Sequence, residues 1–125
     1  TYPGKGVVTP EQPCGFAQSF PTASLVCAHW GGGLPFYALM PEVGRALNNV
    51  HYDTAATQYL YRPEVFHVVA DIVGERHLLF GSDFPLISQR RALQHARSAG
   101  LAASAEEALL GGNAARMLGM ETPHG

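Results

Sequence analysis

Three short segments carry the side chains best placed to do chemistry: His29-Trp30-Gly31-Gly32-Gly33, His51-Tyr52-Asp53-Thr54-Ala55-Ala56 and Gly81-Ser82-Asp83-Phe84-Pro85. Each follows an apolar run of strand length. In Asp83 a carboxylate closes such a run, and burying one is costly unless it is paired, hydrogen-bonded or bound to a cation. Period-2 alternation puts Leu79, Gly81 and Asp83 on one face, where the small Gly81 leaves room beneath the carboxylate. Asp83 therefore reads as a cation ligand or proton acceptor; the competing reading is a helix cap before Phe84-Pro85. His29 shares its face with Leu25 and Cys27 by the same alternation. The glycines after it allow backbone or substrate to approach closely, and an imidazole there suits proton transfer near neutral pH. The competing reading is a core histidine satisfied by one hydrogen bond. Asp53 shares a face with His51 and either orients a neighbouring histidine or caps the turn that follows, the structural role being favoured.

The other candidates carry less. His67, His77, His95 and His124 fall on helices, a strand entrance and the tail, and read as non-catalytic. Cys27 reads as a small buried hydrophobe. Tyr59 and Tyr61, beside Arg62, could line a pocket, but packing between helix and sheet is the commoner reason for such aromatics. The glycines after His29 lack the Lys and Ser/Thr of a phosphate-binding loop.

These segments need a frame that brings them together. The runs Ser24 to His29, Asn49 to Thr54 and His77 to Gly81 have strand length and lie about 25 residues apart, a spacing that fits strand-helix-strand crossovers and a parallel sheet. Helices are expected over Leu34 to Leu47, broken or delayed at Pro41, over Pro63 to Val73 with Pro63 at the first position, and over Ser88 to Ala99. Thr9-Pro10-Glu11-Gln12 reads as a helix start with a capping-box Gln, weakened downstream by Pro13 and Gly15. Ser104 with Glu107 reads as a second capping box. Gly111-Gly112 is expected to stop that turn, and Asn113 to cap a last helix over Ala114 to Leu118, closed by Gly119. In parallel α/β folds functional side chains collect at the carboxyl ends of strands. All three polar endings sit there.

Composition bounds the class. The 125 residues are 46% hydrophobic and 14% charged with a formal net charge of −2, which excludes a chain that stays unfolded. Eight Lys+Arg against ten Asp+Glu leave no basic excess for nucleic acid. No apolar stretch reaches the ~20 residues of a membrane span. Two cysteines, Cys14 and Cys27, are too few for a disulfide scaffold, and a soluble cytoplasmic domain is the default expectation. The chain opens Thr1-Tyr2-Pro3-Gly4, loop-like and without Met, so processing or membership of a longer chain is expected.

The series HWGGGLPF (His29 to Phe36), NVHYDTAA (Asn49 to Ala56), ERHLLFGSDFPL (Glu75 to Leu86) and GGNAARMLGM (Gly111 to Met120) resembles the C-terminal part of the amidohydrolase-related family. These are metal-dependent TIM-barrel hydrolases, with relatives of the aminocarboxymuconate-semialdehyde decarboxylase type. The segments follow the family's order and spacing over almost the whole chain, GSDFP with the downstream GGNAARML being the most specific. The resemblance implies an α/β fold made of about the last three βα units of a (β/α)8 barrel, incomplete within these residues, with 1–125 forming one amidohydrolase-related segment. It implies that Asp83 ligates a divalent metal, Zn²⁺ in the first instance, and that His29 is the acid/base beside the activated water. The family's paired histidines on the first strand and its fifth-strand histidine have no counterpart in this sequence. A metal site normally needs at least three protein ligands, so the isolated chain is expected to be inactive.

The expected function is metal-dependent hydrolysis of a small organic acid, lactone or amide. The alternatives are metal-dependent decarboxylation, or a non-catalytic α/β module lacking the full metal site. A small-molecule substrate is the expected partner, nucleic acid and membrane are not, and a homo-oligomer is allowed. Against the ~250 residues typical of a TIM barrel, 125 residues amount to half an enzyme.

Overall fold

The computed structural model describes residues 8–120; His124 and the opening Thr1 to Gly4 lie outside the described residues. Three strands, β1 (Leu25–Cys27), β2 (Val50–Asp53) and β3 (Leu78–Leu79), form one parallel sheet in the order β1-β2-β3. Leu25, Val26 and Cys27 align with Val50, His51 and Tyr52, while Tyr52 and Asp53 align with Leu78 and Leu79. Between and after the strands run α1 (Glu11–Ser19), α2 (Leu34–Tyr37), α3 (Pro41–Ala46), α4 (Thr57–Leu60), α5 (Val65–Val73), α6 (Gln89–Ser98), α7 (Ala103–Glu107) and α8 (Asn113–Met117). The strand-helix-strand order is therefore as expected, and the architecture is a partial α/β barrel. Among the described residues no helix is long and apolar enough to cross a membrane.

The sheet's two faces differ in cover. Cys27, Val50, Tyr52 and Leu78 point into a core completed by Trp30, Leu34, Val65, Phe66, Val69, Ala96 and Leu109. Burial of this kind, worth roughly 25 cal/mol per Å² of apolar surface, is what holds the helices to the sheet. The opposite face carries Val26, His51, Asp53 and Leu79, and Val26 is 43% exposed. Cover on that face is partial, since Leu79 is only 7% exposed.

Local structure follows the sequence with instructive exceptions. Pro41 does divide the Leu34 to Leu47 stretch, ending one helix and opening α3. Ser88 caps α6, its hydroxyl accepting the Arg91 N–H at 3.3 Å. At α1 the Gln12 side chain accepts the Thr9 N–H at 3.2 Å, and the helix forms in spite of Pro13 and Gly15. All three strands are shorter than predicted. β3 stops at Leu79 because the next amide, Phe80 N–H, donates to the Leu109 carbonyl at 3.1 Å, and His77 lies in a 3-10 turn before it. The helix expected from Pro63 begins at Val65, with Pro63 in the preceding turn.

The largest departures lie near the end of the chain. Ser104 caps nothing, because α7 already starts at Ala103. Gly111 does break the helical backbone, at φ 176° and ψ −30°, but no loop follows: the turn Ala108–Gly112 leads directly into α8. Asn113 is accordingly no cap. It is 1% exposed, and its side-chain amide donates to the carbonyls of Glu75 at 2.7 Å and Leu78 at 2.8 Å. The Glu75 carbonyl also accepts the Leu78 N–H, so the residue that looked like helix punctuation is a buried clamp on the turn into β3.

Candidate active site

The site is built on backbone that few residues tolerate. One residue after β1, past the extended Ala28, five consecutive residues have positive φ: His29 (54°), Trp30 (60°), Gly31 (65°), Gly32 (63°) and Gly33 (96°). Glycine enters this region freely, but for His29 and Trp30 it costs about 1–2 kcal/mol each. Gly31 is required for space as well, since a Cβ there would lie 3.0 Å from the Tyr52 ring and 3.2 Å from the Leu34 side chain. What holds the two non-glycine residues in place is visible. Trp30 is 1% exposed, stands edge-on to Phe66 and Tyr61 with ring centroids 5.1 and 6.4 Å away, and donates from Nε1 to Thr57 Oγ1 at 2.9 Å. The His29 N–H donates to Asp53 Oδ1 at 3.1 Å.

This turn changes which way His29 points. By strand alternation it belongs with Leu25 and Cys27, which face the helices. The strand ends at Cys27, however, and the left-handed turn carries the His29 ring to the rim, where its Nε2 lies 3.4 Å from Asp83 Oδ2. The shared face predicted for Leu25, Cys27 and His29 therefore holds only for the first two. Asp83 also has a positive φ, 66°, a region aspartate tolerates better than most residues. Its carbonyl accepts from Leu86 N–H at 2.9 Å, closing the turn after β3. Its carboxylate caps no helix among the described residues, since α6 is capped by Ser88. His29 and Asp83 side chains are 40% and 36% exposed, so the pair faces open space at the rim.

The end of β2 ties the rim together. Asp53 Oδ1 accepts from both His29 N–H and Ala55 N–H, at 3.1 and 2.9 Å. Thr54 Oγ1 accepts from Gly81 N–H at 3.2 Å, and its carbonyl accepts the Thr57 hydroxyl that in turn holds Trp30. A Cβ at Gly81 would lie 3.2 Å from Asp53 Cγ, so the glycine makes room for that carboxylate. Asp53 thus caps its turn and fixes the His29 backbone at once. Thr54 and Thr57, both 4% exposed, escaped the sequence reading. The available signal was the polar pattern Asp-Thr-Ala-Ala-Thr, where an apolar strand would be expected to pass straight into a helix.

Other candidates separate clearly from this rim. Burial pushes the Cys27 thiol up to about 11 and keeps it protonated. His77 is buried at the opposite end of the sheet. Its Nε2 accepts from Arg76 Nε at 3.3 Å and its Nδ1–H donates to the Val50 carbonyl at 2.8 Å. His67 reaches the Ala99 carbonyl from α5 at 2.6 Å. His95 is turned inward, its Nε2 without a partner, toward a small cavity also lined by Thr54, Thr57, Gly81 and Ile87. Tyr61 packs on Trp30, while Tyr59 is 68% exposed.

As donor chemistry, the half-exposed Asp83 carboxylate with an imidazole beside it fits one position of a divalent-metal shell. Among the described residues no group of three or more His, Cys, Asp or Glu side chains converges to complete one. These residues can contribute to a metal centre and do not make one by themselves.

Comparison with known proteins places the fold. The amidohydrolase family profile matches residues 8–120. Comparison with curated proteins returns no match. Among solved structures, the 5-carboxyvanillate decarboxylase LigW from Sphingomonas paucimobilis is similar, with a TM-score of 0.72 and 18% identity over 86% of this chain and 37% of that one. A dihydroxybenzoic acid decarboxylase from Polaromonas, solved with bound manganese and the inhibitor 2-nitroresorcinol, gives 0.71 and 14% over 88% of this chain and 40% of that one. An amidohydrolase from Burkholderia multivorans with bound zinc gives 0.60 and 21% over 93% and 52%. The chain thus spans about two-fifths to one-half of the length of these structures. With a family profile matched over nearly all its residues and the corresponding fold, the chain belongs to the amidohydrolase family.

Proposed function

We propose that this chain supplies the acid/base half of a metal-dependent active site that cleaves a small organic acid or its lactone or amide. The observation that carries the reading is the 3.4 Å approach of His29 Nε2 to Asp83 Oδ2. The two groups come from different strand ends, and each is held out of the core by left-handed backbone. Strain of this kind is kept where function requires it, since a relaxed turn would serve stability better.

Asp83 would hold one position on a divalent ion, Zn²⁺ or Mn²⁺, the remaining ligands coming from outside the described residues. Such an ion supplies Lewis-acid polarisation and lowers the pKa of water to about 7. The chain's own residues do the rest. The Asp83 carboxylate accepts a hydrogen bond or a proton, and His29 Nε2 takes the proton from the attacking water and returns it to the leaving group as the bond to it breaks. Asp53 and the glycines keep the ring within reach.

Hydrolysis is the first reading. Decarboxylation is the second, and it is supported by the similarity to structures described as 5-carboxyvanillate and dihydroxybenzoic acid decarboxylases. In that case the carbon–carbon bond to the carboxylate breaks, carbon dioxide leaves, and the protonated His29 gives its proton to the carbon that keeps the electron pair. Turnover in ¹⁸O-labelled water separates the two. Hydrolysis places ¹⁸O in the product, whereas decarboxylation releases carbon dioxide and leaves a solvent-derived hydrogen on carbon. In the protein that carries this chain with its remaining ligands, Asp83→Ala is expected to reduce bound divalent metal. Undiminished metal content would remove Asp83 from the ligand set.

A further inference from the structure

A ring at the rim is useful only if it stays there, and three observations converge on what keeps it. His29 is a non-glycine residue at φ 54° whose side chain is 40% exposed, so its own packing does little to hold the turn. Its backbone N–H reaches across to another strand, donating to Asp53 Oδ1 at 3.1 Å. The same oxygen accepts the Ala55 N–H at 2.9 Å, which pins the carboxylate from its own side. The other half of that carboxylate is lodged against Gly81, where a Cβ would stand 3.3 Å from Oδ2. Asp53 touches β1's end through a hydrogen bond and β3's end through contact, one strand leading to His29 and the other to Asp83.

We propose that Asp53 is the positioning residue of this site: its carboxylate, wedged between the His29 amide and Gly81, holds the left-handed turn that sets the His29 ring against Asp83. It touches neither the substrate nor the reacting atoms; it acts through His29. The inference deepens the acid/base reading above and rests on it for its functional meaning, but the geometry can be tested without metal or substrate. Both bonds use Oδ1 alone, which makes a specific demand. Asparagine, with its amide oxygen in the Oδ1 position, should preserve the arrangement, whereas alanine should not.

The test is nuclear magnetic resonance on the 125-residue chain and its Asp53→Ala, Asp53→Asn and Gly81→Ala variants. Amide hydrogen exchange at His29 and Ala55 is read together with the Overhauser contact between the His29 ring and the Asp83 methylene. In D53A, exchange at the two amides is expected to accelerate about tenfold or more and the ring contact to vanish, while Val50 and Tyr52 in the core keep their protection. D53N restores both signals. An unchanged His29–Asp83 contact in D53A overturns the proposal, as does a D53N variant that loses as much as D53A. Should D53A fail to fold, G81A decides: a weakened contact with an intact core supports the wedge, and an unaltered contact refutes it. Absence of bound metal in the protein that carries this chain with its remaining ligands would sink the proposed function and leave these signals in force, so the two failures are told apart.

Discussion

The two ends of the sheet use the same kinds of residue for opposite purposes. At the carboxyl ends of the strands, His29 and Asp83 are half-exposed, sit on left-handed backbone and face one another at 3.4 Å. At the amino ends, His77 and Asn113 are 7% and 1% exposed, and both donate to backbone carbonyls, of β2 for His77 and of β3 and the turn before it for Asn113. One end holds charge-bearing groups available to solvent at some cost in strain. The other spends its polar groups on satisfying buried backbone. This is the division expected of parallel α/β barrels, chemistry at the carboxyl rim and stability at the opposite face. It also shows that residue type alone does not reveal role: an imidazole is a reactive group where it is exposed beside a carboxylate and a structural pin where it is enclosed.

The contrast can be broken at its strongest joint first. Trp30 is the exception at the rim, a fully buried side chain that anchors a strained turn. Trp30→Ala is expected to cost about 4 kcal/mol in urea unfolding, as for other buried aromatics. If the loss proves near zero, the turn is not anchored by its core contacts. Next comes the stabilising end. Asn113→Ala removes two bonds to buried carbonyls and should cost about 2–3 kcal/mol. The His29–Asp83 contact should survive it, and loss of that contact would show that the two ends are not separable.

A smaller effect, pH dependence, bears on His77 and His51. Burial is the leading cause that lowers both imidazoles below their usual value, reinforced for His77 by His51 and Arg76 and for His51 by Arg76 and Arg116. The Val50 carbonyl acts in the other direction on His77 but does not outweigh burial. The fold therefore holds these rings neutral, while the unfolded chain takes up protons near pH ~6.5. More protons on the unfolded state means stability rises with pH. It is complete above about pH 6.5 and declines as the pH falls through that value, until the depressed folded-state pKa values are passed. Thermal midpoints measured from pH 8 to pH 5 should follow this course, and His77→Gln should flatten it. A midpoint that rises on acidification would contradict the neutral assignment.

The smallest expected effect has the opposite sign. His29→Gly relieves a left-handed non-glycine residue and should stabilise the fold by about 0.5–1 kcal/mol while removing the proposed acid/base. Gain of stability with loss of turnover is the trade expected of a strained functional residue. A destabilised H29G would instead make His29 part of the scaffold.

Much of this was legible from the residues. The three apolar runs at crossover spacing specify the parallel strands, because alternating and continuous apolar patterns report directly on burial. Proline at 41 and serine at 88 set helix boundaries through local sterics and hydrogen bonding, and the structure keeps both. The misreadings share a cause. Asn113 looked like a cap because asparagine caps helices locally, yet its partners lie 35 and 38 residues away along the chain. His29 was placed on one face with Leu25 and Cys27 because alternation assumes an extended backbone, and the three glycines that signal its end were read as space for backbone or substrate.

What the sequence alone determined, then, is the order of the elements, which residues within each strand share a face, and the chemical inventory at the strand ends. Those properties arise from interactions between near neighbours and from the tally of apolar side chains. What only the tertiary structure decided is the direction in which His29 points and the task each polar residue performs. A left-handed turn at a non-glycine residue is unfavourable in isolation. It persists because Asp53 of the neighbouring strand, Thr57 and the packing around Trp30 supply compensating contacts, and contacts between distant segments exist only once the chain has folded.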